Sequence, residues 1–233
     1  SSRSRITTSD AKDEARANAV AAVQAGGFGP RELVVRVNGL DTPWGEADLA
    51  AVAGVRPDAV LIPKVSAPAD LAAVRRRLAK PLPLWAMIET CAAIFRLEAL
   101  GAESANEGVA AWVMGSNDLA KEMRCALTVD RAPLMTALTL ALMAGRAHGL
   151  AVLDGVFNDI ADAAGLAAQC AQCAAMGFDG KTLIHPSQVE PANTAFAPDA
   201  ASVDWARTVV AAFAQPEAAG KGVLKVEGRM VER

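Results

Sequence analysis

The sequence predicts an α/β fold of the (β/α)₈ barrel class with its first two strands missing from this sequence, followed by a C-terminal arm. Three observations lead there. Six short aliphatic runs start about 25 to 40 residues apart. Alanine-, arginine- and leucine-rich stretches with helical periodicity separate them. The runs are continuously apolar rather than alternating, as strands buried on both faces of a parallel sheet are. Three of the runs also close on polar residues, Arg36, Glu89 and Asp118, with more of the same kind further along, and polar groups at successive strand ends converge at one end of a barrel.

The elements follow in order. Ser1–Asp10 is polar, with Ile6 its one large aliphatic, and Asp10–Gln24 reads as a helix with Asp10 as N-cap. The strands are LVVRVNG (33–39), AVLIPK (59–64), LWAMIET (84–90), AAWVMGSND (110–118), GLAVLDGV (149–156) and GKTLIHP (180–186). Helical stretches lie at Pro68–Leu78, Ala92–Leu100, Ala132–His148 and Ala163–Met176. Leu84–Thr90 and Ala110–Asp118 read as strands because they are short and bracketed by Pro83, Gly108 and Gly115. No GxGxxG follows a strand, which argues against a dinucleotide fold. Six strands cannot close an eight-stranded barrel, and an open one would expose edges, so two upstream strands are expected outside this sequence. The barrel is expected over residues 1–198 and the arm over 199–233, with a helix at Ala201–Ala214 and a short VLKV strand in a lid or partner-crossing segment.

Composition narrows the function. The 233 residues are 52% hydrophobic, enough for one large core. Net charge is −3, with no basic run interleaved with aromatics and no tyrosine, so neither nucleic acid nor an anionic membrane is an expected partner. No apolar stretch of about 18 residues is present to span a bilayer. Cys170 and Cys173 form a CxxC inside an alanine-rich helical pattern without a second ligand pair, which favours reduced structural thiols over zinc. No signal peptide is visible at Ser1–Asp10, so a cytoplasmic setting is the default.

The candidate site comes from strand ends. Arg36, Glu89 and Asp118 each close or follow an apolar run, and two of the three are the hard oxygen ligands that Mg²⁺ takes. Strand alternation puts Trp85, Met87 and Glu89 on one face, which points Glu89 into the barrel mouth. A carboxylate there is costly to bury unless paired or metal-bound. Arg36 shares a face with Val34 and Asn38 and needs an anionic partner, either substrate or a structural ion pair. Lys64 faces as Val60 and Ile62 do, and pairing with a site carboxylate is preferred to substrate contact. Asp154, followed by Gly155, is expected to line the site and bind substrate. His148 reads as a helix C-terminal group and His185 as a structural histidine, and no Ser-His-Asp arrangement has a recognisable context.

RVNGLDTPWGEADLAAV, VLIPKV, LWAMIET, MGSNDLAKEM, LDGVFNDIAD and GKTLIHPSQVEPAN together resemble the citrate lyase β-subunit-like lyases of the HpcH/HpaI aldolase superfamily, whose members include malyl-CoA and citramalyl-CoA lyases. The resemblance runs from about Ser9 to the C-terminus. It implies a (β/α)₈ barrel, Mg²⁺ dependence, acyl-CoA or 2-oxo-acid substrates, and trimeric or hexameric assembly. It places metal carboxylates at Glu89 and Asp118 and a substrate contact at Arg36. Relatives follow a GRMV-like arm with an aspartate that reaches a neighbouring subunit's site; here Glu232 follows GRMV, keeping the acid and adding a methylene. The implied activity is Mg²⁺-dependent carbon–carbon cleavage of a malyl-, citramalyl- or citryl-type 3-hydroxyacyl-CoA to acetyl-CoA and a 2-oxo acid. A CoA-independent 2-oxo-acid aldolase, an acyl-CoA thioesterase and a scaffold-dependent subunit are the alternatives.

Overall fold

A computed structural model describes residues 11–78 and 82–232. The chain divides into two compact units, Ser1–Ala195 and Phe196–Arg233.

In the first unit the elements run α1 (Lys12–Ala25), β1 (Val34–Arg36), α2 (Gly45–Val55), β2 (Ala59–Ile62), α3 (Pro68–Arg75), β3 (Leu84–Ile88), α4 (Cys91–Ile94), α5 (Leu97–Glu107), β4 (Val109–Met114) and α6 (Ser116–Met123). They continue with α7 (Met135–Ala147), β5 (Ala151–Asp154), α8 (Ala163–Met176), β6 (Gly180–Lys181) and α9 (Val189–Phe196), which ends across the boundary. The expected helix at 10–24 is α1; its proposed cap, Asp10, lies outside the described residues.

All six strands are parallel and pair in chain order, β1-β2-β3-β4-β5-β6, which is the strand–helix winding of a partial (β/α) barrel. Parallel partners keep their side chains on the same face, so the register sorts the sheet into two sides. Val60, Ile62, Leu84, Ala86, Ile88, Trp112, Met114 and Val152 form one side and are all buried. That side meets the helices: Trp112 Nε1 donates to Ser104 Oγ of α5 at 3.2 Å, and a Cβ on Gly145 of α7 would collide with Val152. Leu61, Trp85, Met87 and Leu153 lie on the other side and are only partly buried.

Local chemistry sets several boundaries. Thr90 caps α4 by accepting from the Ala93 amide at 3.1 Å, and Asp162 caps α8 through the Gly165 amide at 2.8 Å. Pro68 opens α3, where Asp70 accepts from the Ser66 and Ala67 amides at 2.8 and 2.9 Å. Gly108, at φ +66°, ends α5 and turns the chain into β4.

The structure corrects one boundary that matters for the site. The run 110–118 is not one strand: β4 stops at Met114, and Ser116–Met123 is helix α6. Gly115 makes the turn, and Asp118 therefore stands in the first turn of a helix, where a carboxylate meets the positive end of the helix dipole.

In the second unit α10 (Ala200–Phe213) is capped by Asp199 through the Ser202 amide at 2.8 Å, and β7 (Val223–Val226) forms an antiparallel hairpin with β8 (Arg229–Glu232). Arg229 lies over the Trp205 ring, 5.0 Å from its centroid. Among the described residues no helix is long and apolar enough to cross a membrane.

Candidate active site

Glu89 follows the last residue of β3 and is 3% exposed. Its Oε1 accepts from the Lys64 backbone amide at 2.8 Å. Its other oxygen lies over Gly115, where any Cβ would overlap the Glu89 side chain. That close approach accounts for glycine between β4 and α6. Burial pushes the Glu89 carboxyl above its ordinary value, and the charge of Asp118 adds to this; the Lys64 amide and the charges of Lys64 and Arg36 act against it.

Lys64 departs from its expected face. Val60 and Ile62 point to the helices, so simple alternation would turn Lys64 away from Glu89. Pro63 and a left-handed Lys64, φ +53°, break the alternation just after β2. The amide then reaches Glu89, and Nζ stands 3.7 Å from Asp118 Oδ1. That ion pair is about half exposed at both ends and is worth little as stability.

The three residues open on a cleft of about 370 Å³, lined by Lys64, Glu89, Thr90, Asp118, Lys121, Glu122 and Arg124. Lys121 and Glu122 sit three and four residues after Asp118 on α6, hence on its face. They were not among the sequence candidates because the helix itself was read as a strand end. Ser-Asn-Asp directly after Gly115 was the available signal of a helix start.

Arg36 is placed differently. It ends β1, is exposed, and pairs in register with Leu61, which itself pairs with Trp85 on the Glu89 side of the sheet. It lines a neighbouring cavity of about 170 Å³ between α1, β1 and α2, with Arg16, Asn38 and Asp48. No ion pair to Arg36 forms among the described residues.

Asp154 is a correction. It lies on the helix side of β5, opposite Glu89, and is 0% exposed. Arg131 Nη1 donates to both its oxygens at 2.7 and 2.9 Å, Lys181 Nζ donates at 2.7 Å, and Cys173 Sγ donates at 2.8 Å. Burial alone would raise this carboxyl, but Lys181 and Arg131 outweigh it and hold Asp154 below its ordinary value. So occupied, it does not line the cleft. Burial beside Asp154 pushes the Cys173 thiol up to about 12, and Cys170 is likewise buried in α8; all four cysteines are unpaired. Nothing in the sequence signalled this cluster, since Arg131 and Lys181 are 23 and 27 residues from Asp154.

His185 Nδ1 caps the turn after β6 by accepting from the Ser187 amide at 3.2 Å, and His148 Nε2 meets Glu98 at 3.2 Å. Glu232 is exposed in the second unit, at the end of β8.

The donor set suits a hard divalent cation. Two carboxylates repel across the cleft, one of them buried and short of positive charge, and a cation between them would relieve both costs. Among the described residues no group of three or more His, Cys, Asp or Glu side chains gathers, so water or substrate oxygens would complete such a shell.

The profile of the HpcH/HpaI aldolase/citrate lyase family matches residues 7–186. The chain belongs to that family. It is 47% identical to a (3S)-malyl-CoA thioesterase of Cereibacter sphaeroides, over 96% of this chain and 77% of that protein. It is 34% identical to an L-malyl-CoA/beta-methylmalyl-CoA lyase of the same species, over 96% of this chain and 79% of that protein. Among solved structures, protein CitE of Mycobacterium tuberculosis in complex with magnesium, acetoacetate and coenzyme A superimposes with a TM-score of 0.74 at 27% identity, over 97% of this chain and 81% of that one. This citrate lyase family member is thus an enzyme of lyase or thioesterase type, and the strand ends of its barrel carry the cleft.

Proposed function

We propose that this family member binds Mg²⁺ through Glu89 and Asp118 and hydrolyses a malyl-type 3-hydroxyacyl-CoA thioester. The observation that carries the choice of reaction is the 47% identity to a malyl-CoA thioesterase, against 34% to a malyl-CoA lyase, each over 96% of the chain. Carbon–carbon cleavage to acetyl-CoA and a 2-oxo acid, which the sequence motifs favour, is the second reading and draws on the same lyase similarity.

When bound, Mg²⁺ supplies Lewis-acid polarisation of substrate oxygens. The remaining work falls to the chain. The Lys64 amide fixes the Glu89 carboxylate before substrate arrives, while Asp118 is carried into the cleft by the first turn of α6. Arg36 stabilises negative charge on the thioester oxygen in hydrolysis, or on the enolate in cleavage. Glu232 of a neighbouring copy in a trimer or hexamer takes a proton from water as its oxygen bonds to the thioester carbon. The C–S bond then breaks, and CoA leaves as the thiolate, which takes up a proton. In the lyase reading the 3-hydroxyl gives up its proton to solvent, the C2–C3 bond breaks to leave the 2-oxo acid and the thioester enolate, and the same carboxyl gives its proton to the enolate carbon. A cytoplasmic setting is part of this reading and suits four free thiols.

The test is to incubate the purified protein with Mg²⁺ and a panel of hydroxyacyl-CoA esters and to identify products by mass. Free CoA with the intact hydroxy acid is expected. Acetyl-CoA with a 2-oxo acid moves the assignment to the lyase. Cleavage of free 2-oxo-acid aldols alone leaves the CoA-independent aldolase, and no turnover of any of these leaves a scaffold-dependent subunit.

A further inference from the structure

Asp118 is held by surprisingly little. Its side chain is 48% exposed, and its nearest cation, Lys64 Nζ, is 3.7 Å away. Its position is therefore set by the first turn of α6, and that turn is gripped from the loop after β5. Asn117 Nδ2 donates to Asn158 Oδ1 at 3.0 Å, and Asn158 Nδ2 donates back to Asn117 Oδ1 at 2.8 Å. At Ser116, one residue before Asn117, Gly155 packs so closely on α6 that a Cβ there would overlap Ser116 Oγ and press on the Met114 carbonyl.

The loop that makes these contacts is itself anchored. Lys181 Nζ donates to the Gly155 carbonyl and to Asp154. Gln188, 1% exposed, uses both ends of its amide: Oε1 accepts from the Ile184 amide at 3.0 Å, and Nε2 donates to the Phe157 carbonyl at 3.1 Å. A buried amide satisfied at both ends joins the loops after β5 and β6 into one frame. Asn158 directly follows Phe157, so the frame ends in the reciprocal amide pair beside Asp118.

We propose that Asn117 and Asn158 are positioning residues that set Asp118 against Glu89 for the cation, with Gln188 anchoring the loop that carries Asn158. The inference rests on the reading of Glu89 and Asp118 as Mg²⁺ ligands. A reciprocal amide pair resists both sliding and rotation of α6, because both planes must stay aligned to keep both bonds. Groups that orient a ligand from behind in this way are commonly worth about 10-fold or more in metal affinity.

The test is a double-mutant cycle on metal binding, read by calorimetric titration of Mg²⁺ into metal-free protein. Asn117→Ala and Asn158→Ala are each expected to weaken Mg²⁺ by about 10-fold with an unchanged melting temperature, and the double variant to weaken it no further than either. In turnover, the Mg²⁺ activation constant rises and kcat recovers at saturating Mg²⁺. Asn158→Asp keeps the acceptor for Asn117 and loses the donor, so its affinity falls between; it also serves if alanine lowers the melting temperature. Wild-type Mg²⁺ affinity in both single variants, or additive losses in the double, overturns the proposal. Absence of Mg²⁺ binding by the unmutated protein, or binding unaffected by Glu89→Gln, overturns the reading of the site and this inference with it.

Discussion

Glu89 and Asp154 are both buried carboxylates at the ends of strands in one parallel sheet, yet they live in opposite electrostatic worlds. Asp154 faces the helices with Arg131, Lys181 and Cys173 on its oxygens, and its carboxyl is held below its ordinary value. Glu89 faces the cleft with one amide bond and a second carboxylate nearby, and its carboxyl is raised. A completed charge cluster is a structural fixture, whereas a buried carboxylate left short of positive charge is where the proposed Mg²⁺ would supply the missing compensation. Depth of burial does not separate the two; compensation does.

Removing each carboxylate should therefore have opposite consequences. The largest effect is expected at Asp154→Ala, which strands two buried cations: a loss of about 3–5 kcal/mol by urea denaturation, with Mg²⁺ affinity retained by whatever fraction stays folded. Loss of Mg²⁺ binding at full stability would mean that Asp154 belongs to the site after all.

Next comes Glu89→Gln, which removes an under-compensated charge and keeps the shape. Turnover should drop by at least about 100-fold while the metal-free protein melts no lower than wild type. Early melting with retained specific activity would make Glu89 the structural carboxylate and break the contrast.

The smallest effect is in the pH dependence, and its sign differs between the two. The lowered Asp154 contributes stability that is present above the ordinary carboxylate value and lost as pH falls through its depressed folded value. The raised Glu89 does the reverse: its contribution in metal-free protein is present below the ordinary value and lost as pH rises through the raised one. Denaturation of metal-free wild type and Glu89→Gln between about pH 4 and 8 should show the variant gaining relative stability as pH rises. A difference that is flat in pH would show that Glu89 feels no unusual environment.

Much of the scaffold is legible in the sequence. Five of the six strands sit within their aliphatic runs and β4 starts one residue ahead of its own, because a strand covered on one side by helices and on the other by the barrel interior must be apolar along its length. Ala163–Met176 matches α8 residue for residue, since alanine-rich periodicity bounded by Asp162 and Gly177 leaves little freedom. Glu89 was legible too: Trp85 and Met87 set its face, and the strand ends where the run does.

What the sequence by itself determined was therefore the winding of strands and helices and the face of Glu89, because burial periodicity is a local property. Tertiary structure alone decided the rest. Lys64 reaches Glu89 only because a left-handed residue after Pro63 undoes the alternation that periodicity assumes. Asp118 depends on where β4 gives way to α6, and that point is set by Gly115 fitting against the Glu89 side chain from another strand. Asp154 looked like a site residue until Arg131 and Lys181, distant in sequence, closed on it from a loop and a neighbouring strand. A carboxylate's role follows from the charges that surround it, and those arrive from parts of the chain that only folding brings together.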